Sequence, residues 1–149
     1  MRGAGGYPLK LTVNAMEQQL SMLDLWRPAP IQRGVDPDGM VVEGHIHTVL
    51  RLPHPRSGDR ARIEVHPHER LWMWATAFQI GTHGSGYRVG PKWGRFANSM
   101  EDAIFWAVRE LQKNLAVHRK SKGRDEIIRW LALYEPVNWK PDPRPEAVQ

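Results

Sequence analysis

The chain has 149 residues, 41% hydrophobic and 25% charged, a balance that fits one soluble globular domain with a core of its own. It has no cysteine, which excludes disulfides and thiolate metal sites, and no apolar run approaches the length of a membrane span. Net charge is +5, and it is concentrated: between Arg88 and Arg124 nine Lys/Arg stand against three Asp/Glu, which favours acidic partners, nucleic acid among them.

Residues 1–39 read as an N-terminal arm. Met1–Pro8 has no apolar h-region, so no signal peptide is expected and the cytosol is the expected location. The apolar patch Leu9–Val13 suits an arm or an edge strand. Glu17–Trp26 is a short amphipathic piece closed by Pro28 and Pro30, and Asp36-Pro37-Asp38-Gly39 has the chemistry of a turn.

Residues 40–135 read as a single α+β domain. Met40–Leu52 alternates with period two: Val42, Ile46, Thr48, Leu50 and Leu52 against Glu43, His45, His47 and Arg51. Arg60–His66 repeats the pattern, with Ala61, Ile63 and Val65 inward and Arg62, Glu64 and His66 outward. Pro67 is expected to end it. Leu71–Ile80 is apolar on both sides, the mark of a central strand covered on both faces. Its small Ala75 and Ala77 suggest where a helix lies close. The Gly81–Gly86 stretch reads as a wide hairpin loop leading to Tyr87–Val89, with Trp93–Phe96 as a further short strand.

Ser99 is a good N-cap, followed by Glu101 and Asp102 at the positive end of the helix dipole. Met100, Ile104, Ala107, Val108, Leu111, Leu115 and His118 share one face of a helix running to about Arg119. A shorter helix is expected from about Asp125 to Tyr134, and residues 136–149 read as a Pro-rich disordered tail. The expected fold is thus α+β: a three- to four-stranded antiparallel sheet packed by one long helix, with a second short C-terminal helix.

The chemistry-bearing groups are few. Opposite the apolar stripe of the long helix fall Trp106, Arg109 and Lys113, continued by Arg119, Lys120, Lys122 and Arg124. An exposed indole among cations suits stacking on a base while the cations hold phosphates, or a protein hot spot; the other reading is that the C-terminal helix or the N-terminal arm covers Trp106. The pairs His45/His47 and His66/His68 are the candidate metal ligands, suited to zinc, and they leave a His-based metal-dependent hydrolase open as an alternative. Gly84-x-Gly86-x-x-x-Gly90 misses the dinucleotide spacing and no P-loop is present, so no cofactor is expected.

Two resemblances add context. Gln19-Leu20-Ser21-Met22-Leu23 resembles the short motif by which bacterial proteins dock on the replicative sliding clamp, with Met22 and Leu23 in place of its Leu-Phe ending. The stretch from Trp72 through Trp93-Gly94-Arg95-Phe96-Ala97-Asn98-Ser99 into Glu101-Asp102-Ala103-Ile104 resembles a strand–hairpin–helix module of small phage- and plasmid-borne accessory proteins. That second resemblance implies a non-enzymatic binding protein that modulates a host nucleic-acid-processing or defence complex, as anti-CRISPR and antirestriction proteins do, and it carries no residue roles with it. A direct, sequence-tolerant nucleic-acid-binding module is the other expectation.

Overall fold

In the computed structural model, which describes residues 28–135, the strands are β1 (Ile31–Gln32), β2 (Thr48–Pro53), β3 (Asp59–His68), β4 (Leu71–Ile80), β5 (His83–Gly86) and β6 (Arg95–Ala97), and the helices are α1 (Met100–Ala116) and α2 (Lys122–Leu131). The six strands form one antiparallel sheet ordered β1-β6-β4-β3-β2, with β5 also paired to β4. The α+β class follows the reading of the sequence. The strand count exceeds the three or four expected, because β1, β5 and β6 are only two to four residues long. Strands that short carry no alternation to read. The outermost of them, β1, comes from the segment read as an arm.

As its two apolar sides require, β4 is central. β3 pairs it from Ala61–Phe78 to His68–Leu71. The opposite edge is shared: β6 takes Trp72 and Met73, and β5 takes residues 77–80. Trp74, Ala75 and Thr76 lie between them with no strand partner on that edge. Pro67 stays inside β3 rather than ending it. β2 begins pairing at Thr48–Val65, so Pro67 lies beyond it, where no neighbouring strand requires the missing N–H.

Ser99 caps α1 as expected, its Oγ accepting the Asp102 N–H at 3.0 Å. Ile104, Ala107, Val108, Leu111 and Leu115 are buried, joined by Ala103 and Phe105. Each of the large apolar side chains contributes roughly 1.5–3 kcal/mol by burial. Ser121 caps α2 by accepting the Arg124 N–H at 3.2 Å, so α2 starts before the expected Asp125.

The helices pack on the side of β4 that carries Trp74 and Phe78, together with Ile63, Val65 and Ala61 of β3. The expectation that Ala75 and Ala77 receive the helix is therefore overturned. Met73 and Ala75 belong to a second core with Val89 and Phe96, onto which Val42 and Ile46 pack. Both sides of β4 are apolar, so periodicity could not choose between them. The small side admits backbone instead of a helix: Val42 N–H bonds Val89 O at 2.8 Å and Lys92 N–H bonds Met40 O at 3.1 Å. Gly90 allows this approach, since a Cβ there would collide with the backbone of Val41. For the same reason Met40–His47 is not strand. It leaves the sheet as a cover, and its residue Gly44 has φ 83°.

Candidate anion-binding trough along α1

Four elements converge on one carboxylate. Glu110 faces the sheet from α1, Trp74 and Thr76 share the helix-facing side of β4, Tyr87 follows β5 and Arg95 opens β6. Tyr87 is anchored in the gap between β5 and β6 by its N–H to Thr76 O at 3.2 Å. Glu110 Oε1 accepts from Trp74 Nε1 at 3.2 Å and Arg95 Nε at 2.8 Å. Its Oε2 accepts from Thr76 Oγ1 at 2.5 Å and the Tyr87 hydroxyl at 2.6 Å. The Arg95 guanidinium also stacks 4.9 Å from the Tyr87 ring centroid.

These bonds decide what Glu110 can do. An ionised carboxylate has about four acceptor positions, and here four donors take them. Burial, and then the Glu110 charge, push the Tyr87 phenol well above its ordinary range. Tyr87 is thereby kept as a donor. Glu110 is a pin between helix and sheet with no acceptor left for a substrate proton, which argues against a general base at this point.

Beside the pin runs a trough. One cavity of about 440 Å³ is lined by Pro30, Gln32, Trp74, Arg95, Trp106, Arg109, Glu110, Lys113 and Asn114. A second of about 430 Å³ is lined by Phe78, His83, Gly84, Ser85, Lys113, Asn114, Val117 and His118. Lys113 and Asn114 line both, so the two adjoin along α1. From Trp106 to Val117 the helix rises roughly 16 Å at 1.5 Å per residue.

The structure divides the predicted basic group. Arg109 and Lys113 line the trough; Arg109 lies over the Phe105 ring at 5.2 Å. Arg119, Lys120 and Lys122 are exposed around the turn between α1 and α2. Arg124 closes the end of α1, its Nε donating to Leu115 O at 3.1 Å.

Of the two readings of Trp106, the exposed indole is not the one the structure has. Trp106 is half-buried, packed against the main core and edge-on to Phe105 at 4.9 Å. Its indole N–H is shut off from solvent and has no hydrogen-bond partner among the described residues. Trp106 is a wall of the trough, facing Pro30 and Gln32, and not a stacking platform. Helical periodicity placed it opposite the stripe, and Pro30 and Gln32 line the same cavity.

The histidine pairs lie elsewhere. His47 N–H donates to His66 Nδ1 at 3.0 Å. The His47 ring stands edge-on to Trp72 at 5.0 Å, and His68 lies 5.7 Å from Phe96. His66 is held below its ordinary value by burial and then by His47, His45 and His68. Among the described residues no three His, Asp or Glu side chains come together as a metal site; His47, His66 and His68 make the contacts given above, and His45 is exposed. The clamp-like segment Gln19–Leu23 lies outside the described residues.

Sequence reasoning did not reach Glu110, Tyr87, Arg95, His83 or the part played by His118. They come from three stretches, 83–87, 95 and 110–118, and no spacing joins the three. No family model matches the chain, and neither a curated protein nor a solved structure is significantly similar to it.

Proposed function

We propose that the chain is a binding protein without catalysis that modulates a nucleic-acid-processing complex by holding a nucleic acid strand along the α1 trough. The observation that carries this reading is the charge balance of the trough. Among the described lining residues Arg109 and Lys113 stand beside the Arg95–Glu110 pair, and the Glu110 carboxylate is already engaged by four donors, Arg95 among them. Arg119, Lys120 and Lys122 continue the positive surface beyond its end. A cationic trough with half-buried aromatic walls tracks a phosphate backbone without reading sequence.

The test is binding of an internally labelled single strand to the purified chain, followed by fluorescence anisotropy across a salt series. Affinity should fall steeply with salt through counterion release, and Arg109→Gln should weaken it roughly 3- to 10-fold and flatten the slope by about one. A chain that captures a nucleoprotein complex equally well after nuclease treatment, and leaves bare strands unbound, contacts protein instead, and the reading fails.

A further inference from the structure

The far end of the trough differs in chemistry from its middle. The second cavity is lined by Lys113, Asn114, His83, His118 and Ser85 over Phe78, with no carboxylate among its described lining residues. The two imidazoles stand 6.0 Å apart between centroids, and Phe78 holds the His118 ring edge-on at 5.3 Å. His83 and Ser85 come from β5, whose one strand neighbour is β4. Lys113 comes from the last turn of α1, and His118 lies just beyond it. The Gly84-Ser85-Gly86 run, which fits no nucleotide-binding motif, thus supplies one wall of a polar cavity.

An ammonium, two imidazoles, an amide and a hydroxyl make a donor-rich set. The first cavity mixes its cations with Glu110; this one does not. A phosphodiester presents one negative charge, whereas a phosphomonoester carries about −1.5 to −2 near neutral pH and offers three acceptor oxygens. The monoester is the better match to three groups that can each carry a positive charge.

We propose that this cavity is a phosphomonoester subsite, held by Lys113, His83 and His118, for the terminal phosphate of a strand in the trough or for free phosphate. The proposal rests on the reading of the trough as the binding surface. The experiment compares internally labelled strands of one sequence carrying a 5′-phosphate, a 3′-phosphate or neither, with inorganic phosphate as a separate arm. Affinity is read by anisotropy, and the His83 and His118 imidazole resonances by NMR.

A strand with a terminal phosphate should bind about tenfold tighter than the unphosphorylated one, with both imidazoles shifting. Lys113→Gln and His118→Asn should close that gap, with circular dichroism confirming that each variant is folded. Equal affinities for all three strands, with no imidazole shift, overturn the subsite and leave the trough reading standing. Imidazole shifts with inorganic phosphate but no strand binding uphold the subsite, assign it to free phosphate and remove the trough reading. No shift and no binding in any arm overturn both.

Discussion

The carboxylate of Glu64 accepts the backbone N–H of Val89 at 2.9 Å, in a buried position on the sheet face turned away from the helices. Its other oxygen pairs with Arg62 Nε at 3.1 Å. The link ties β3 to the segment that covers Met73 and Ala75. Glu64→Leu removes the acceptor, leaves Val89 N–H unpaired and leaves Arg62 only its 3.6 Å pair with Asp59, and should cost roughly 2–4 kcal/mol in urea unfolding. Glu64→Gln keeps an acceptor and should lose less than half of that. Equal losses in both would show that the charge, and not the bond to Val89, matters.

Glu110→Leu strands four donors at the helix–sheet contact and should destabilise the fold by about 3–5 kcal/mol. Glu110→Gln should keep the fold and bring the Tyr87 phenol down toward its ordinary range, though still above it, since burial is the larger cause of its shift. Alkaline difference spectroscopy reads this directly. An unmoved phenol would mean that the Glu110 charge is not felt at Tyr87.

His66 makes the fold sensitive to acid. The folded chain protonates it less readily than the unfolded chain, whose imidazole titrates near the ordinary 6.5. The stability contributed here is therefore complete above that value and is lost as pH falls through it toward the lower folded value. Protonation also removes the lone pair that accepts the His47 N–H. His66→Asn retains an acceptor that does not titrate, so its melting temperature should fall less between neutral and mildly acidic pH than that of the parent chain. Parallel profiles would place the acid sensitivity elsewhere.

Glu69 has φ 57° in the two-residue turn between β3 and β4, a conformation that L side chains adopt at a cost of about 1–2 kcal/mol. Glu69→Gly removes the strain but adds freedom to the unfolded chain. The net gain should be about 0.5–1 kcal/mol, seen as a raised melting temperature. A lowered one would mean that the Glu69 side chain supports the turn.

Sequence reasoning reached what local rules control. Ser99 with Glu101 and Asp102 set the start of α1, and the spacing of Ile104, Val108, Leu111 and Leu115 set its buried face. Leu71–Ile80 declared itself central because both of its sides are predominantly apolar, Thr76 and Gln79 being its two polar side chains. These follow from neighbours within a few residues, where backbone geometry alone decides which side chains share a face.

What lay beyond that reach was every choice between equivalent surfaces. Two apolar sides of β4 look alike to periodicity, and only packing put α1 over Trp74 and Phe78 and a loop over Met73 and Ala75. Trp106 was legible as lying off the main stripe, with cover by the N-terminal arm or the C-terminal helix as one reading of it, and the structure has it half-buried. Glu110, Tyr87, Arg95, His83 and His118 came together only when three separate stretches of chain, 83–87, 95 and 110–118, met. The sequence by itself determined a capped helix, a doubly covered strand and a concentration of positive charge. The tertiary structure alone decided which side chains meet across them, because hydrogen bonds and cavities depend on distances in space that sequence separation does not encode.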